Sequence, residues 1–519
     1  MAPVIAAATG AGRLFEHLGV IAAVLLAGFA VLAAGRSELA RARAVGMALA
    51  LTATPILLVA AIWDSPQLHP LRHRPLLGVA AILAALAAVG ALALLISRRP
   101  QALALLAVAA LPFRVPISSG GETSNLLIPL YAIVAAGTLA YIGDLLRDRD
   151  PEPDEPTAGL LEWSLVGLIA LYAIQTSYSH DFTKALEQVV FFYVPFSLLF
   201  ILLRRLRWSA GLLLGCLGVL VSLALVFVLV GFVEYSRRKL LLNPKVISAN
   251  MVESYFRVNS LFFDPNIYGR FLAVVMLLVT TAMLWAARRR DVLAAALCLA
   301  VLWGGLMTSI SQSSIAALLI GLGVLAALRW DPRKTGAAVA LLSIAGVAFV
   351  FLAGSSIRVD LSSSKGADQA TTGRYNLIGG GVDLFEQRPV TGYGAASFAV
   401  EYRSHQGSSA GSAVSASHTI PITIAAEQGI LGLGLYVLLL VACFRRLFGG
   451  DLRNSAARAA IATAFAALVL HTMAYADFLE DPITWTLLGI GAALAGASAL
   501  PRGSAAPVAN AGVAEPQVL

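Results

Sequence analysis

The longest polar stretch of this chain covers residues 354–418 and reads GSSIRVDLSSSKGADQATTGRYNLIGGGVDLFEQRPVTGYGAASFAVEYRSHQGSSAGSAVSASH. A long apolar run that begins TIPITIAAEQGILGLG (419–434) follows it directly. The polar stretch holds five basic side chains and two histidines: Arg358, Lys365, Arg374, Arg388, Arg403, His405 and His418. A polar segment of this length between apolar runs predicts one large loop between membrane-spanning helices. We expect this loop to carry the chemistry of the protein.

The composition of the whole chain indicates a membrane protein. Of its 519 residues, 59% are hydrophobic and only 13% are charged, with a mean hydropathy of +0.81. Soluble domains carry about 25% charged residues, so roughly half of the usual solvating surface is missing here. Apolar runs recur along the chain, and a run of about 18 residues can cross a hydrocarbon core as a helix. These features predict an all-α fold, a polytopic bundle of transmembrane helices.

The apolar runs predict fifteen spans, of which the fourth is short. They cover residues 16–34, 44–63, 76–97, 101–115, 126–146, 159–178, 185–203, 208–234, 267–286, 291–307, 312–328, 335–353, 420–444, 456–474 and 482–500. If the N-terminus lies outside, the alternate loops facing the cytoplasm hold more than half of the 37 lysines and arginines. Cytoplasmic loops are enriched in these residues, so the pattern supports both the parity and the orientation. The net charge of +8 then reflects topology, and we exclude nucleic acid as a partner.

This scheme divides the chain into five parts. Residues 1–150 hold the N-terminal transmembrane helices, 151–353 the central ones, 354–419 the large external catalytic loop, and 420–500 the C-terminal transmembrane helices. The loop lies between the twelfth and thirteenth predicted spans. Residues 501–519 contain mainly Ala, Pro, Gly and Val, which is typical of a disordered tail, here on the cytoplasmic side.

Two predicted outer segments are rich in basic residues, although lysine and arginine usually concentrate in cytoplasmic loops. One is the 354–419 loop, and the other carries Arg237, Arg238, Lys239, Lys245, Arg257 and Arg270. Arginine suits a phosphate because its planar guanidinium donates two parallel hydrogen bonds. Outward-facing arginines beside membrane entries therefore indicate an anion held near the outer leaflet. Binding of lipid headgroups and loop solvation are the alternative explanation.

Residues 257–270 read RVNSLFFDPNIYGR and predict the start of a helix. Asp264 is a good N-cap, and Pro265 suits the first helical position. Capping is also the simplest interpretation of Asn266. Arg257 lies seven positions before the cap, and we expect its guanidinium to contact a lipid-borne phosphate.

Within the polar loop, residues 374–387 predict a short amphipathic helix on the membrane, although three consecutive glycines oppose it. Gly392 and Gly394 predict a tight turn. The glycine spacing matches no phosphate-binding loop and no dinucleotide turn. We therefore expect no nucleotide site.

Two ionisable residues flank the entry into the apolar run after the loop. His418 ends the loop, where a neutral imidazole can take a proton from a sugar hydroxyl; a structural histidine is the alternative. His405, in the middle of the loop, is a weaker candidate. Glu427 lies inside the predicted span, where a carboxylate is costly, so it is either functional or part of helix packing.

A group of ionisable residues clusters at the outer end of the fourteenth predicted span. It consists of His471, Asp477, Glu480 and Asp481. These side chains could accept a hydroxyl group or a cation. We expect instead that they form a solvated loop.

These motifs resemble those of the O-antigen ligase and polymerase superfamily. The resemblance covers about residues 185–440 and is carried, in order, by Arg257 with Phe263-Asp264-Pro265-Asn266, by Gly373-Arg374 with Pro389, Gly392-Tyr393-Gly394 and Phe398, and by His418 with Glu427-Gln428-Gly429 and Gly432. It implies a fold related to the GT-C class. It also implies an inverting, metal-independent glycosyltransferase that moves a glycan from undecaprenyl diphosphate to an acceptor. Such enzymes act at the outer face of the cytoplasmic (inner) membrane.

The resemblance implies roles for three residues of this chain. Arg257 and Arg374 would bind the diphosphate, and His418 would orient or deprotonate the acceptor hydroxyl. We add four substrate-binding candidates, namely Arg270, Asn266, Arg388 and Glu427. The expected partners are the lipid-linked glycan donor, a glycan or lipid acceptor, and membrane lipids, with no cofactor and no metal.

Two positions depart from the family pattern. Thr419 follows the histidine where asparagine is usual, and Gln312 stands in a stretch where the family often has arginine. Both departures bear on the acceptor more than on the donor. The sequence leaves open the sugar, the acceptor, and the choice between ligase and polymerase.

The alternative from another functional class is a transporter or flippase of an anionic lipid or lipid-linked glycan. A transporter is expected to carry substrate-binding charge near the bilayer midplane and broken helices in paired halves. The charge of this chain is concentrated at the predicted outer surface, which favours the enzyme. A cell-wall polymerase of the shape, elongation and division family is a second enzymatic alternative, but its motifs are not recognisable in this sequence.

Overall fold

A computed structural model describes residues 2–61, 74–119, 122–147, 156–241, 256–330, 333, 336, 374–406, 419–475 and 477–499. The helices up to the middle of the chain are α1 (Ala2–Leu32), α2 (Ala40–Ala61), α3 (Pro75–Arg98), α4 (Gln101–Ala110), α5 (Ile128–Leu146), α6 (Leu160–Gln175), α7 (Phe182–Gln188), α8 (Val194–Arg205) and α9 (Ala210–Arg237). The later helices are α10 (Pro265–Leu284), α11 (Arg289–Ser309), α12 (Gln312–Arg329), α13 (Arg374–Gln387), α14 (Phe398–Gln406), α15 (Ile420–Phe448), α16 (Ala456–Ala474) and α17 (Pro482–Ala499). The chain is thus mostly helical.

Ten helices among the described residues are long and apolar enough to cross a membrane. They are Leu76–Arg98, Ile128–Leu146, Leu160–Tyr178, Phe182–Arg205, Ala210–Arg237, Pro265–Leu284, Arg289–Ser309, Gln312–Arg329, Ile420–Phe448 and Ala456–Ala474. Three shorter apolar helices accompany them, at Glu16–Leu32, Gln101–Ala110 and Pro482–Gly496. The prediction of a polytopic helical membrane protein is confirmed. The predicted span 335–353 apart from residue 336, the loop residues 354–373 and 407–418, and the 501–519 tail lie outside the described residues.

The fourth predicted span, 101–115, is wrong. Helix α4 ends at Ala110, so it is only about 15 Å long, half of what a membrane crossing needs. Pro112 stops it, and two strands follow, β1 (Val115–Ser119) and β2 (Glu122–Leu126). The strands pair antiparallel, with Val115 opposite Leu126. This hairpin corrects the purely α-helical prediction.

The segment from Phe182 to Arg205 forms the centre of the bundle. It joins α7 to α8 through a wide π turn at Val189–Tyr193, and every residue from Val194 to Arg204 is buried. Around it pack α1, α2, α5, α6, α15, α16 and α17 in one apolar core. A second apolar core is formed by α9, α10, α11 and α12. Fully apolar helices surrounded by other helices are typical of a large bundle interior.

Helix α3 shows the opposite pattern and lies at the periphery. Leu76 is 84% exposed, and Val79, Ile82 and Leu86 are exposed as well. An apolar helix with so little buried surface would be unfavourable in water but suits contact with lipid chains. This helix therefore supports the membrane assignment independently of the span count.

Candidate functional site

The segment before α10, residues 256–264, is fixed to α9 and α11. Glu234 of α9 is 1% exposed, and its carboxylate accepts the backbone N–H groups of Ser260 (2.8 Å) and Leu241 (2.9 Å). The Val258 N–H donates to the Thr308 carbonyl (3.1 Å). A buried carboxylate that holds two N–H groups makes a strong anchor. The backbone that carries Arg257 is therefore rigidly positioned.

Arg257 lies where α10, α11 and α12 meet. Its Nε donates to the carbonyl of Ser309 at 3.2 Å, and an Nη donates to Asn266 Oδ1 at 3.1 Å. The same Asn266 oxygen accepts the Ser311 hydroxyl at 2.9 Å. Asn266 thus orients Arg257, a role that capping did not predict. Asp264 does cap α10, accepting from the Asn266 N–H at 2.6 Å, and this prediction is confirmed.

A cluster of hydroxyl groups extends from Arg257 towards α16. The Ser311 and Ser314 hydroxyls lie 2.7 Å apart, and the Ser313 and Ser314 hydroxyls lie 3.2 and 3.1 Å from His471 Nε2. The helices approach closely because Gly269 has no side chain; a Cβ there would lie 2.7 Å from the Ser314 hydroxyl. Nothing local in the sequence links these serines to His471, which lies 157 positions after Ser314.

Arg270 is fully enclosed by protein. It is 1% exposed, its Nε lies 2.9 Å from Asp481 Oδ2, and an Nη donates to the Asp477 carbonyl at 3.4 Å. Its partner Asp481 is 2% exposed. In this structure Arg270 therefore binds residues 477–481 to α10.

The expectation of a solvated loop after α16 is wrong. His471 and Asp481 are almost completely buried, and Glu480 accepts the Tyr193 hydroxyl at 3.3 Å. Burial raises the pKa of Asp477, against the opposing charges of Arg270 and Arg114. Burial is the main cause that raises the pKa of Glu480 to about 7, and the nearby charge of Asp477 is the second. This segment is buried because apolar parts of the fold pack around it, although its own sequence is acidic.

Helix α15 is broken at Gly429, whose φ is +65°. The turn at residues 389–394 fills the break: the Gly394 N–H donates to the Glu427 carbonyl (2.8 Å), and the Ile430 N–H donates to the Pro389 carbonyl (2.8 Å). Gly392 has φ +64°, and a Cβ there would lie 2.2 Å from the Glu427 carbonyl oxygen. Only glycine fits this conformation and this distance. The tight turn predicted from the glycines is confirmed.

Glu427 holds this turn from inside. It is 6% exposed, and its two carboxylate oxygens accept the N–H groups of Ala396 (3.0 Å) and Phe398 (3.1 Å). Phe398 begins α14, so the carboxyl group also accepts an N–H that has no partner within the helix. These contacts give Glu427 a structural role in the turn, and its contact with substrate stays a prediction.

Residues at the end of α6 hold the other side of the turn. Gln175 Nε2 (3.2 Å) and the Tyr178 hydroxyl (2.9 Å) both donate to the Thr391 carbonyl, and the Ser179 hydroxyl donates to the Ala395 carbonyl (2.5 Å). His180 Nδ1 pairs with the carboxylate of Glu401 on α14. The sequence analysis identified none of these residues, because nothing local links them to the loop.

Helix α13 has the bounds predicted for residues 374–387. Its apolar face, with Leu377 and Leu384, packs against Tyr393, Phe398 and Ala426. Between α13 and α14 lies a cavity of about 420 Å³, lined chiefly by Gly380, Asp383, Glu386, Gln387, Tyr402 and His405.

Arg388 follows α13 directly and is exposed. Its Cζ lies 4.4 Å above the ring of Tyr393, a cation–π distance. The side chain of Arg374 and all of His418 lie outside the described residues. Thr419, which follows His418, is the N-cap position of α15.

The described parts of this site lie at one end of the bundle. They comprise the ends of α6, α9, α11 and α16 and the starts of α10, α12, α14 and α15. Contacts such as Ser313–His471, Arg270–Asp481 and Tyr178–Thr391 join them. The charge pattern had placed the corresponding loops on one side of the membrane. Among the described residues, no group of three His, Cys, Asp or Glu side chains is arranged to hold a metal ion.

A comparison with protein families agrees with the resemblance given above. Residues 297–437 match a family model described as O-antigen ligase. This range lies within the 185–440 segment of the sequence resemblance, and it includes Arg374, Arg388, His418 and Glu427. It begins after Arg257. The resemblance to the O-antigen ligase superfamily is confirmed. No curated protein matches the chain.

Proposed function

We propose that this membrane protein, whose O-antigen ligase domain indicates glycan transfer in surface polysaccharide biosynthesis, uses an undecaprenyl-diphosphate-linked donor. The glycan passes to an acceptor hydroxyl at the outer face of the cytoplasmic membrane. The observation that carries this proposal is the fixation of Arg257. Ser309 and Asn266 hold its guanidinium at the junction of three helix ends. A preorganised cation stabilises charge that develops in a transition state without a cost of reorganisation.

The proposed reaction is an inverting substitution at the anomeric carbon. The bond from that carbon to the diphosphate oxygen breaks, and its electron pair stays on the diphosphate. The acceptor oxygen attacks from the opposite face, and its proton passes to the imidazole of His418. Arg257 and Arg374 neutralise the charge of the departing diphosphate, so the reaction requires no metal. A fold related to the GT-C class would present these groups at the membrane surface.

The remaining predicted residues take different proposed roles. Arg388 is exposed and is proposed to contact substrate directly. Asn266 positions Arg257, and Glu427 positions the turn at 389–398. Arg270 keeps residues 477–481 against α10 through Asp481. We propose that these three act through the residues that they contact.

The transporter alternative has one structural feature in its favour, the break in α15. Broken helices in transporters expose backbone groups to substrate near the midplane. Here the N–H of Ile430 and the carbonyl of Glu427 are bonded to Pro389 and Gly394. The break therefore receives a segment of the same chain, which favours the enzyme.

The decisive experiment uses purified protein in nanodiscs with EDTA. An undecaprenyl-diphosphate-linked oligosaccharide is supplied together with native lipid extract, and release of undecaprenyl diphosphate is followed. We expect acceptor-dependent release that is lost in Arg257→Ala, Arg374→Ala and His418→Ala. Arg403→Ala is the matched control, because Arg403 is exposed and its Nε bonds within its own helix to Ala399.

Full activity of the folded Arg374→Ala and His418→Ala variants would refute the proposed mechanism. Donor movement between leaflets without release, with any acceptor, would instead establish the transporter. Loss of activity in EDTA that Mg²⁺ or Mn²⁺ restores would refute the metal-independent part alone.

A further inference from the structure

The cavity between α13 and α14 carries groups that the reaction at the diphosphate does not use. Its volume of about 420 Å³ falls within the range of small-molecule sites. Both helices belong to the segment that matches the ligase family. Its lining combines carboxylates, an amide, an imidazole and a phenol, a set that offers both hydrogen-bond donors and acceptors.

One wall of the cavity presents an oriented amide. Gln387 Oε1 accepts the hydroxyl of Tyr393 at 2.9 Å and lies 2.9 Å from His405 Nε2. Because the Tyr393 hydroxyl donates to this oxygen and so orients the amide, the amide nitrogen is left with two hydrogens to donate. No acceptor for them is found in the described part of the chain. His405 is itself held, its Nδ1 lying 2.8 Å from the Glu401 carbonyl.

The other polar groups of the cavity are acceptors. Asp383 and Glu386 lie one turn apart on α13 and are both exposed. Two carboxylates repel a phosphate, so the leaving diphosphate does not belong here. They suit hydroxyl groups or an ammonium group, each of which donates hydrogen bonds.

An aromatic residue and a glycine complete the cavity. Tyr402 is 6% exposed and is stacked against Phe398 at 5.7 Å, which fixes its ring. Such a ring offers an apolar face next to polar groups. Gly380 lines the cavity without a side chain. The combination of donor, acceptors and ring matches the alternating polar and apolar surface of a pyranose.

We propose that this cavity binds the acceptor sugar, and that it selects a pyranose bearing no carboxylate or phosphate. This inference rests on the proposed function, since it names the second substrate of the same reaction. Hydroxyl groups, or one amino group, bind Asp383 and Glu386, and the Gln387 amide donates to a sugar oxygen. A uronic acid is rejected by the two carboxylates.

Steady-state kinetics with donor and acceptor varied separately test this proposal. The variants are Gln387→Ala, Asp383→Asn and Gly380→Leu, with Gly379→Leu as matched control. A Cβ at Gly379 would meet no atom within 4 Å, so a side chain there projects into open space. We expect the acceptor KM to rise about tenfold or more in the three cavity variants, with the donor KM and kcat within about twofold. An unchanged acceptor KM, or a raised donor KM instead, would overturn the inference.

A binding measurement separates this inference from the proposed function. Saturation-transfer NMR with protein in nanodiscs uses galactose, glucosamine and galacturonic acid as probes. We expect transfer to galactose or glucosamine, none to galacturonic acid, and loss of the signal in Gly380→Leu but not in Gly379→Leu. If wild-type protein transfers no glycan but shows this pattern, the proposed reaction fails and the sugar site stands. Absence of sugar binding, or binding unaffected by Gly380→Leu, refutes the site even where transfer is observed.

Discussion

Replacing Glu427 by alanine tests whether this buried carboxylate positions the turn or contacts substrate. The substitution removes the acceptors of the Ala396 and Phe398 N–H groups. A hydrogen bond contributes about 0.5–1.5 kcal/mol, and an orphaned buried donor costs about 1–3 kcal/mol. The cost of burying the carboxylate offsets part of this, so we expect residues 395–398 to be destabilised by about 3 kcal/mol. Glu427→Gln keeps one acceptor oxygen and should cost about half as much.

Hydrogen exchange measures this effect locally. A loss of about 3 kcal/mol in local opening free energy corresponds to exchange about 100-fold faster. We expect this acceleration at the amides of residues 394–398 in Glu427→Ala and a smaller one in Glu427→Gln. Amides of α16 provide the internal reference. If the amides of residues 394–398 exchange as in the wild type while the donor KM rises, Glu427 contacts substrate and the positioning role is refuted.

Three further predictions concern the same end of the bundle. Gly392→Ala places a Cβ 2.2 Å from a carbonyl of α15 at φ +64°, so we expect a loss of about 2 kcal/mol or more and a lower Tm in nanodiscs; an unchanged Tm would contradict the observed turn. Because the pKa of Glu480 is raised to about 7, the folded state binds the proton more tightly, and stability falls as pH rises from about 4.5 to 7. Glu480→Gln should lessen this fall by about 1–3 kcal/mol, measured as Tm between pH 5 and 8, and a fall as steep as in the wild type would refute the assignment. Arg270→Leu leaves Asp481 buried without its partner and should lower the free energy of unfolding by about 3–5 kcal/mol. If the unpaired charge is the cause, the double variant Arg270→Leu with Asp481→Leu should recover most of this loss.

The predicted features that the structure confirms depend on residues close in sequence. The Asp264 cap, the helix at 374–387 and the turn at Gly392 and Gly394 follow from helix periodicity, capping and backbone freedom within a few positions. The fourth span failed for a related reason. Its apolar composition suits a buried helix, but Pro112 ends that helix and Pro116 lies in strand β1 of the hairpin that follows.

The sequence by itself determined the class of the protein, because hydrophobicity and span length follow directly from composition. It also determined the resemblance to the O-antigen ligase superfamily, which the match at residues 297–437 supports. Only the tertiary structure decided which polar groups meet. Arg257 bonds to Ser309, 52 positions away, and Gln175 bonds to Thr391, 216 positions away. Packing decided likewise that Arg270 and Asp481 are buried together and that Glu427 holds a turn. The packing of the helices sets the distance between segments that are far apart in the chain. The sequence alone therefore cannot show whether a charged residue faces substrate or another side chain of the protein.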